Sequence, residues 1–390
     1  MAVATALATA RSRALLVHAA RSLRGVAVLT PWLAYLLGVD LLLSLLLPLK
    51  TFAPTPVYNV SSALASSVWA WIQNIFTAVN HADIVLSTNC PAGLPHGESA
   101  VVIANHVAWS DFYMIQEAAR RAGMLGRCRW FAKRSLRWVP FLGWGLWAMG
   151  MPLVSRKWAT DRAELERVFR GIVSNRWPVS PFMASSHAGV LPPPACYRMS
   201  WDVGLIAYSE GTRFTPARHA AAVSYRATTG KPPPPSPHLL VPRPRGFVAT
   251  VTALRRSGVS PSTTTTTTST TVSNTATTGN DGGSRHIPAV LDITIAYARN
   301  REFMKAPPFW DTVAHADLKA AGYRFYAHVQ RWDMAALPEG DEALAKWLEE
   351  RWVEKGERLE ELRRVVEEGG EWVGDWDGDG AVEEGKEKDE

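Results

Sequence analysis

The sequence predicts an α/β domain, a mixed central sheet flanked by helices, preceded by an N-terminal membrane-embedded helical hairpin. Three observations predict it. Short β-branched runs such as Val101-Val102-Ile103-Ala104 and Leu291-Asp292-Ile293-Thr294-Ile295-Ala296-Tyr297 read as buried strands. Between and after them lie segments whose apolar residues recur at helical spacing. Ahead of all of these, the stretch from Val26 to Leu49 is almost wholly apolar. At 390 residues and 47% apolar, the chain holds one large or two small domains with ample material for a core.

In order, residues 1–25 contain Arg11, Arg13, Arg21 and Arg24, many alanines and no acid. That composition suits a mitochondrial-type targeting segment or the basic cytosolic flank of a membrane helix, and the flank is the preferred reading. Residues 26–80 read as membrane-associated helices. Val26 to Leu49 would extend about 36 Å as a helix, enough for the hydrocarbon core. Asp40 at its middle and Pro48 near its end oppose a plain crossing, since a central carboxylate costs about 2.5–3.5 kcal/mol. Val68, Trp69, Ile72, Ile75, Phe76 and Val79 then form an apolar stripe, with Ser61, Ser62, Gln73 and Asn74 off it. Such an amphipathic helix lies on a membrane or on the protein body.

Residues 81–335 form the main domain. Ala82 to Ser87 reads as a strand, and a Pro/Gly turn over Pro91 to Gly97 leads into the central strand at Val101. Phe112 to Ala122 reads as a helix stopped by Gly123. Trp130-Phe131-Ala132-Lys133 is strand-like, and Leu136 to Met149, with four aromatics, is either plain core or the lining of an apolar channel. Thr160 to Val173 is a helix with Leu165, Val168, Phe169 and Ile172 on one face. Residues 177–200 and 257–286 read as insertion loops, the second too rich in Thr, Ser, Asn and Gly to fold. Leu291 to Tyr297 and Tyr323 to Val329 are strands, and Asp341 to Glu368 supplies a C-terminal helix within 336–370. The acidic tail, 371–390, imitates a calcium loop at Asp375-Trp376-Asp377-Gly378-Asp379-Gly380, but its twelfth position is Lys386. It reads as solvated and disordered, with no metal.

Charge is uneven. Residues 338–390 hold 20 acidic and 8 basic side chains, a net of −12, so the remainder of this +6 chain carries +18. A basic body ordinarily suggests nucleic acid, but seventeen tryptophans and the apolar N-terminal run suit an anionic membrane surface better. Cys90, Cys128 and Cys196 have neither disulfide-framework nor zinc spacing, which points to a reducing compartment.

Two turns carry the chemistry. Asn105-His106 follows the strand 101–104, and Asp111 opens the next helix. Five residues apart, His106 and Asp111 would sit roughly 140° apart on one helix and meet only across a bend. If they meet, Asp111 fixes the imidazole tautomer and His106 can accept a proton; otherwise each merely caps its own element. The second turn, Glu210-Gly211-Thr212-Arg213, again follows an apolar strand, with a guanidinium suited to a phosphate and a glycine that permits close approach.

The pair Asn-His-x4-Asp and Glu-Gly-Thr-Arg, about 100 residues apart, resembles the lysophosphatidic acid acyltransferase family. Met149 to Asp161, with its Arg-x-Trp-x-x-Asp ending, is similar to that family's second block, and His238 to Phe247 to its fourth in the lysocardiolipin and lysophosphatidylinositol acyltransferase branch. The likeness covers roughly 60–365. Ser209 stands where the family has proline, and Val154-Ser155 where it has Ile-Asp. The resemblance implies His106 and Asp111 as the catalytic pair, and Glu210, Gly211, Thr212, Arg213, Arg156 and Asn105 as the acceptor-binding set, Asn105 also as a positioner of the loop. It implies acyl-CoA as co-substrate with no cofactor, a lysophospholipid acceptor, a bilayer as partner and no nucleic acid. Lys133, Arg243 and Arg245 are candidates for coenzyme A phosphates. A helical hairpin in one leaflet, known in related acyltransferases, fits the N-terminus, in the endoplasmic reticulum first and mitochondria second. The competing readings are a non-catalytic lipid-binding or membrane-shaping protein and a CoA-independent transacylase or hydrolase.

Overall fold

The computed structural model describes residues 2–139, 142–155, 161, 165, 204–256 and 287–375. Arg156, most of the helix expected over 160–173, both insertion loops and the tail beyond residue 375 lie outside the described residues. Helix α1 (Ala2–Leu45) turns through a 3-10 segment into α2 (Pro54–Asn74), extended by a π-turn over Ile75–Val79. The pair is antiparallel, Trp32 Nε1 donating to Val68 O at 3.0 Å and Tyr35 pairing with Ser67 at 2.8 Å. The first helix runs through the basic stretch instead of starting at Val26. Arg24 explains part of this. Its guanidinium docks on the body, donating to Val313 O (2.9 Å), His315 O (3.0 Å) and Asn80 Oδ1 (2.7 Å).

The body continues with β1 (Ile84–Thr88), β2 (Ala100–Ala104), α3 (Asp111–Arg121), β3 (Cys128–Trp130), β4 (Ala132–Lys133), α4 (Leu142–Ala148), β5 (Leu153–Val154) and β6 (Gly204–Tyr208). Then come α5 (Pro216–Thr228), α6 (Pro244–Arg256), β7 (Ala289–Arg299), β8 (Glu302–Phe303), α7 (Phe309–Ala314), β9 (Tyr323–Asp333) and α8 (Asp341–Glu367). The main sheet has the order β1-β9-β7-β2-β6-β3, with β8 on β7, while β4 and β5 pair apart from it. Strands β3, β6, β2 and β7 are mutually parallel; β9 runs against β7, and β1 follows β9. The sheet is therefore mixed, as expected.

Alternation along the strands divides the core. Val102, Ala104, Ile293, Ile295 and Phe325 face α2 and α3, meeting Ile72, Phe76, Met114 and Ile115. Val101, Ile103, Val290, Ala296 and Ala298 face α6 and α8, meeting Val251, Leu344, Leu348, Trp352 and Leu359. Strand β2 is buried along its whole length, which is why it reads as an uninterrupted apolar run.

Two N-terminal expectations change. The polar side of α2 is not turned to solvent. Ser61, Ser62 and Gln73 are buried, Gln73 Nε2 reaching Tyr113 O and Glu117 Oε2 at 3.2 Å each, and Ser62 Oγ accepting from the buried Arg129 at 3.0 Å. Small polar side chains let the helix lie close to the body. At Gly126 the approach is so tight that a Cβ would collide with Ser62 O. Gly126→Ala is thus expected to destabilise by about 1–3 kcal/mol through overpacking, seen as a lower thermal midpoint. Asp40, which argued against a membrane crossing, is buried against α4 beside Gly145. Arg11–Leu45, which contains an 18-residue window of mean hydropathy 1.9, is by length and composition able to cross a membrane, and Leu33, Leu37, Leu41, Leu42 and Leu45 point outward from it.

At the other end, the chain after α8 stays attached as far as it is described. Trp372 is buried and Asp375 Oδ1 accepts from Thr88 N at 2.8 Å, so the tail docks on β1 through at least residue 375.

Candidate active site

Parallel pairing of β2 with β6, Ala104 opposite Tyr208, brings both motif turns off the same, carboxyl, end of the strands. Crevices at the carboxyl ends of parallel strands are where α/β sheets bind ligands. The bend after β2 is built by Asp111. Its Oδ2 accepts from Val107 N (2.8 Å) and its Oδ1 from Ala108 N (3.0 Å), so the carboxylate at the start of α3 ties down the loop before the helix and folds the chain back on itself. The same bend lays His106 Nδ1 2.7 Å from Asp111 Oδ2. Of the two alternatives posed by the spacing, the contact between the side chains is the one formed, and α3 begins without a side-chain cap.

The second turn clasps the first. Glu210, almost wholly buried, accepts from His106 N at 3.2 Å through Oε2 and from Leu240 N at 3.3 Å through Oε1. Phe214 N donates to His106 O at 2.6 Å. Both main-chain polar groups of His106 are thereby held by the segment that carries Arg213. Tyr208 stacks on the imidazole, centroids 3.9 Å apart and planes 13° from parallel. Among the described residues Nε2 of His106 has no hydrogen-bond partner, and the side chain stays 20% exposed. The ring is fixed on three sides, with one nitrogen facing outward.

Gly211 adopts φ +70°, a conformation that favours glycine, and a Cβ there would press on Arg243 Cδ at 3.2 Å. Thr212 is half-buried, and Arg213 extends into solvent. Arg243, joined to the turn by its N–H on Ser209 O at 2.7 Å, is exposed as well, placing two cations at this turn. Arg245 and Lys133 are exposed elsewhere along the chain. Asn105 has a different position from that expected of an acceptor ligand. Its Nδ2 donates to Ile295 O (2.9 Å) and its Oδ1 accepts from Ile295 N (2.8 Å), so the side chain continues the β2–β7 ladder one step beyond the strand.

That extension matters because β7 is longer than β2. Beyond Ile295 it delivers Tyr297, whose hydroxyl donates to Asp111 Oδ1 at 2.7 Å. Sequence reading placed Tyr297 and Tyr208 only as strand residues; the available signal was a tyrosine at the carboxyl end of each apolar strand. Burial, with Asp111 nearby, pushes both phenols well above their usual range, so both stay neutral. Burial also pushes Glu210 up to about 8, with Asp111 adding to the effect. Near neutral pH Glu210 is mostly uncharged, and the anion beside the imidazole is Asp111.

The acyltransferase family matches residues 87–223, which hold both turns, and the acyltransferase C-terminus family matches 318–369. The chain thus carries an acyltransferase domain. More particularly, it is similar to proteins named 1-acyl-sn-glycerol-3-phosphate acyltransferase. It is 26% identical over 263 residues to 1-acyl-sn-glycerol-3-phosphate acyltransferase 2 of Brassica oleracea, covering 67% of this chain and 51% of that protein. To 1-acyl-sn-glycerol-3-phosphate acyltransferase delta of Homo sapiens it is 26% identical over 309 residues, 79% of this chain and 63% of that one. The matches span about half to three fifths of these relatives' length. The lysophosphatidic acid acyltransferase PlsC from Thermotoga maritima aligns over 83% of this chain and 96% of its own, at 15% identity and TM-score 0.38.

Proposed function

We propose that this chain transfers an acyl group from acyl-CoA to a free hydroxyl of a lysophospholipid, with lysophosphatidic acid the first acceptor to test and lysophosphatidylinositol- or lysocardiolipin-type lipids next. The observation that carries the reading is His106, held through its backbone by the Arg213 turn and through Nδ1 by Asp111, with Nε2 outward. Nε2 takes the proton of the acceptor hydroxyl as the oxygen attacks the thioester carbonyl. The C–S bond then breaks, and the leaving thiolate takes the proton back from the imidazolium. Asp111 stabilises the imidazolium in between. Arg213, with Gly211 and Thr212 shaping its turn, anchors the acceptor phosphate and so selects the hydroxyl that reaches His106. Glu210 and Asn105 act as clamps on the loop.

The same reading places the enzyme at a bilayer surface, in the endoplasmic reticulum. The outward leucines of α1 and the exposed Trp109, Trp138 and Trp144, with Arg134 and Arg137 close in sequence, support the bilayer surface.

Radiolabelled acyl-CoA with a panel of lysolipids and purified protein in detergent tests the proposal. Transfer requiring both substrates supports it. Transfer without the thioester would favour a transacylase, and lipid binding without turnover a non-catalytic role. Arg213→Ala is expected to raise the acceptor KM about ten- to hundred-fold with little change in the donor KM. A larger effect on the donor would contradict phosphate anchoring.

A further inference from the structure

We infer that Tyr297 is a positioning residue that divides the charge of Asp111 between two side-chain donors, and through it sets the pH range in which His106 can work. The inference rests on the acyl-transfer reading for its kinetic arm only.

The geometry carries it. Asp111 is fully buried, and each of its oxygens takes one backbone N–H and one side-chain donor: Oδ2 from Val107 N and His106, Oδ1 from Ala108 N and the Tyr297 hydroxyl. Tyr297 is itself fully buried, at the overshooting end of β7, packed edge-on to Phe325 at 6.0 Å between centroids. It has little freedom to leave. The other groups facing the pair are Tyr208 and Glu210 from β6 and its turn, with Arg213 and Arg243 at the outer rim. Tyr208 stacks on the ring, Glu210 binds the His106 main chain, and neither donates to Asp111. Tyr297 is thus the one side chain, among the described residues, that competes with His106 for the carboxylate.

A hydrogen bond to one carboxylate oxygen draws charge from the other. Removing the hydroxyl leaves more of the negative charge for the imidazolium, so the protonated ring persists to higher pH. The acid limb of kcat/KM then moves upward. The sign is fixed: loss of Tyr297 as a donor favours the positive form of His106.

The test is Tyr297→Phe, which keeps the ring and its packing. Compared with wild type, the acid limb of kcat/KM should rise by about half to one pH unit, with the KM values for both substrates unchanged. An independent readout is the His106 imidazole titration by NMR, assigned by its loss in His106→Ala; it should rise by the same amount. If both stay put or move down, the inference is overturned. In an Asp111→Asn background the tyrosine change should add no further loss of rate; losses that multiply would also overturn it. If wild-type protein transfers no acyl group, the proposed function fails while the imidazole titration still decides the role of Tyr297.

Discussion

His106→Ala is expected to slow acyl transfer about 10²- to 10⁴-fold with the fold intact. The size follows from what the substitution removes. The hydroxyl of a lysolipid is a poor nucleophile until a base takes its proton, and among the described residues no other group in the site is placed to do so. Glu210 has a carboxyl group, but both oxygens accept main-chain hydrogens, and burial keeps it mostly protonated near neutral pH. Asp111 is fully buried under four donors. The expectation of an intact fold follows from the same map. The clasp between the two turns uses His106 N and His106 O, which alanine retains. Single-turnover rates with saturating acyl-CoA, alongside a thermal melt, check both halves. Full activity in a folded variant would remove His106 from the reaction.

The sequence showed the outline of this site but not its interior, and the reason is separation along the chain. His106 with Asp111, and the turn at Arg213, are local patterns a few residues long. The strands 101–104 and 291–297 were visible because burial on both faces leaves a continuous apolar run. What remained hidden depends on register. Asn105 looked like a group for the acceptor, yet its amide is engaged by Ile295, 190 residues away, because β7 overshoots β2. Tyr297 reaches Asp111 for the same reason. Likewise Ser62 and Gln73 lie off the apolar stripe of α2; nothing nearby in sequence announces the buried Arg129 or the carbonyl of Tyr113 that they meet. In helix α8, Lys355 falls among Glu and Arg residues as if solvated. Its partner, Asp292, lies in a strand where a lone acid was the only hint.

Lys355→Met is the stability counterpart, with an expected loss of about 3–5 kcal/mol. The ammonium and the Asp292 carboxylate are both sealed from solvent, 2.7 Å apart, and the remaining ammonium hydrogens meet Ile293 O at 2.8 Å and Thr294 Oγ1 at 3.1 Å. With three acceptors for three N–H bonds the lysine is fully satisfied, and removing it strands a buried carboxylate. The desolvation cost of each charge is met by the other, so losing one partner costs more than losing both. Pairing Lys355→Met with Asp292→Val should therefore recover more than half of the deficit. In a thermal melt the single substitution is expected to lower the midpoint by roughly 6–20 °C. The position of the pair extends its consequence beyond stability. Asp292 sits on the α8 face of β7, and the same strand, further along, holds Asn105 at Ile295 and Asp111 at Tyr297. A strand released from α8 would lose its fixed register against the two motif turns, so the single variant should lose turnover below its melting midpoint and the double variant should regain it. If the single variant keeps wild-type turnover well below that midpoint, the α8 anchor serves stability alone, and the alignment of the two motif turns rests on the β2–β6 pairing instead.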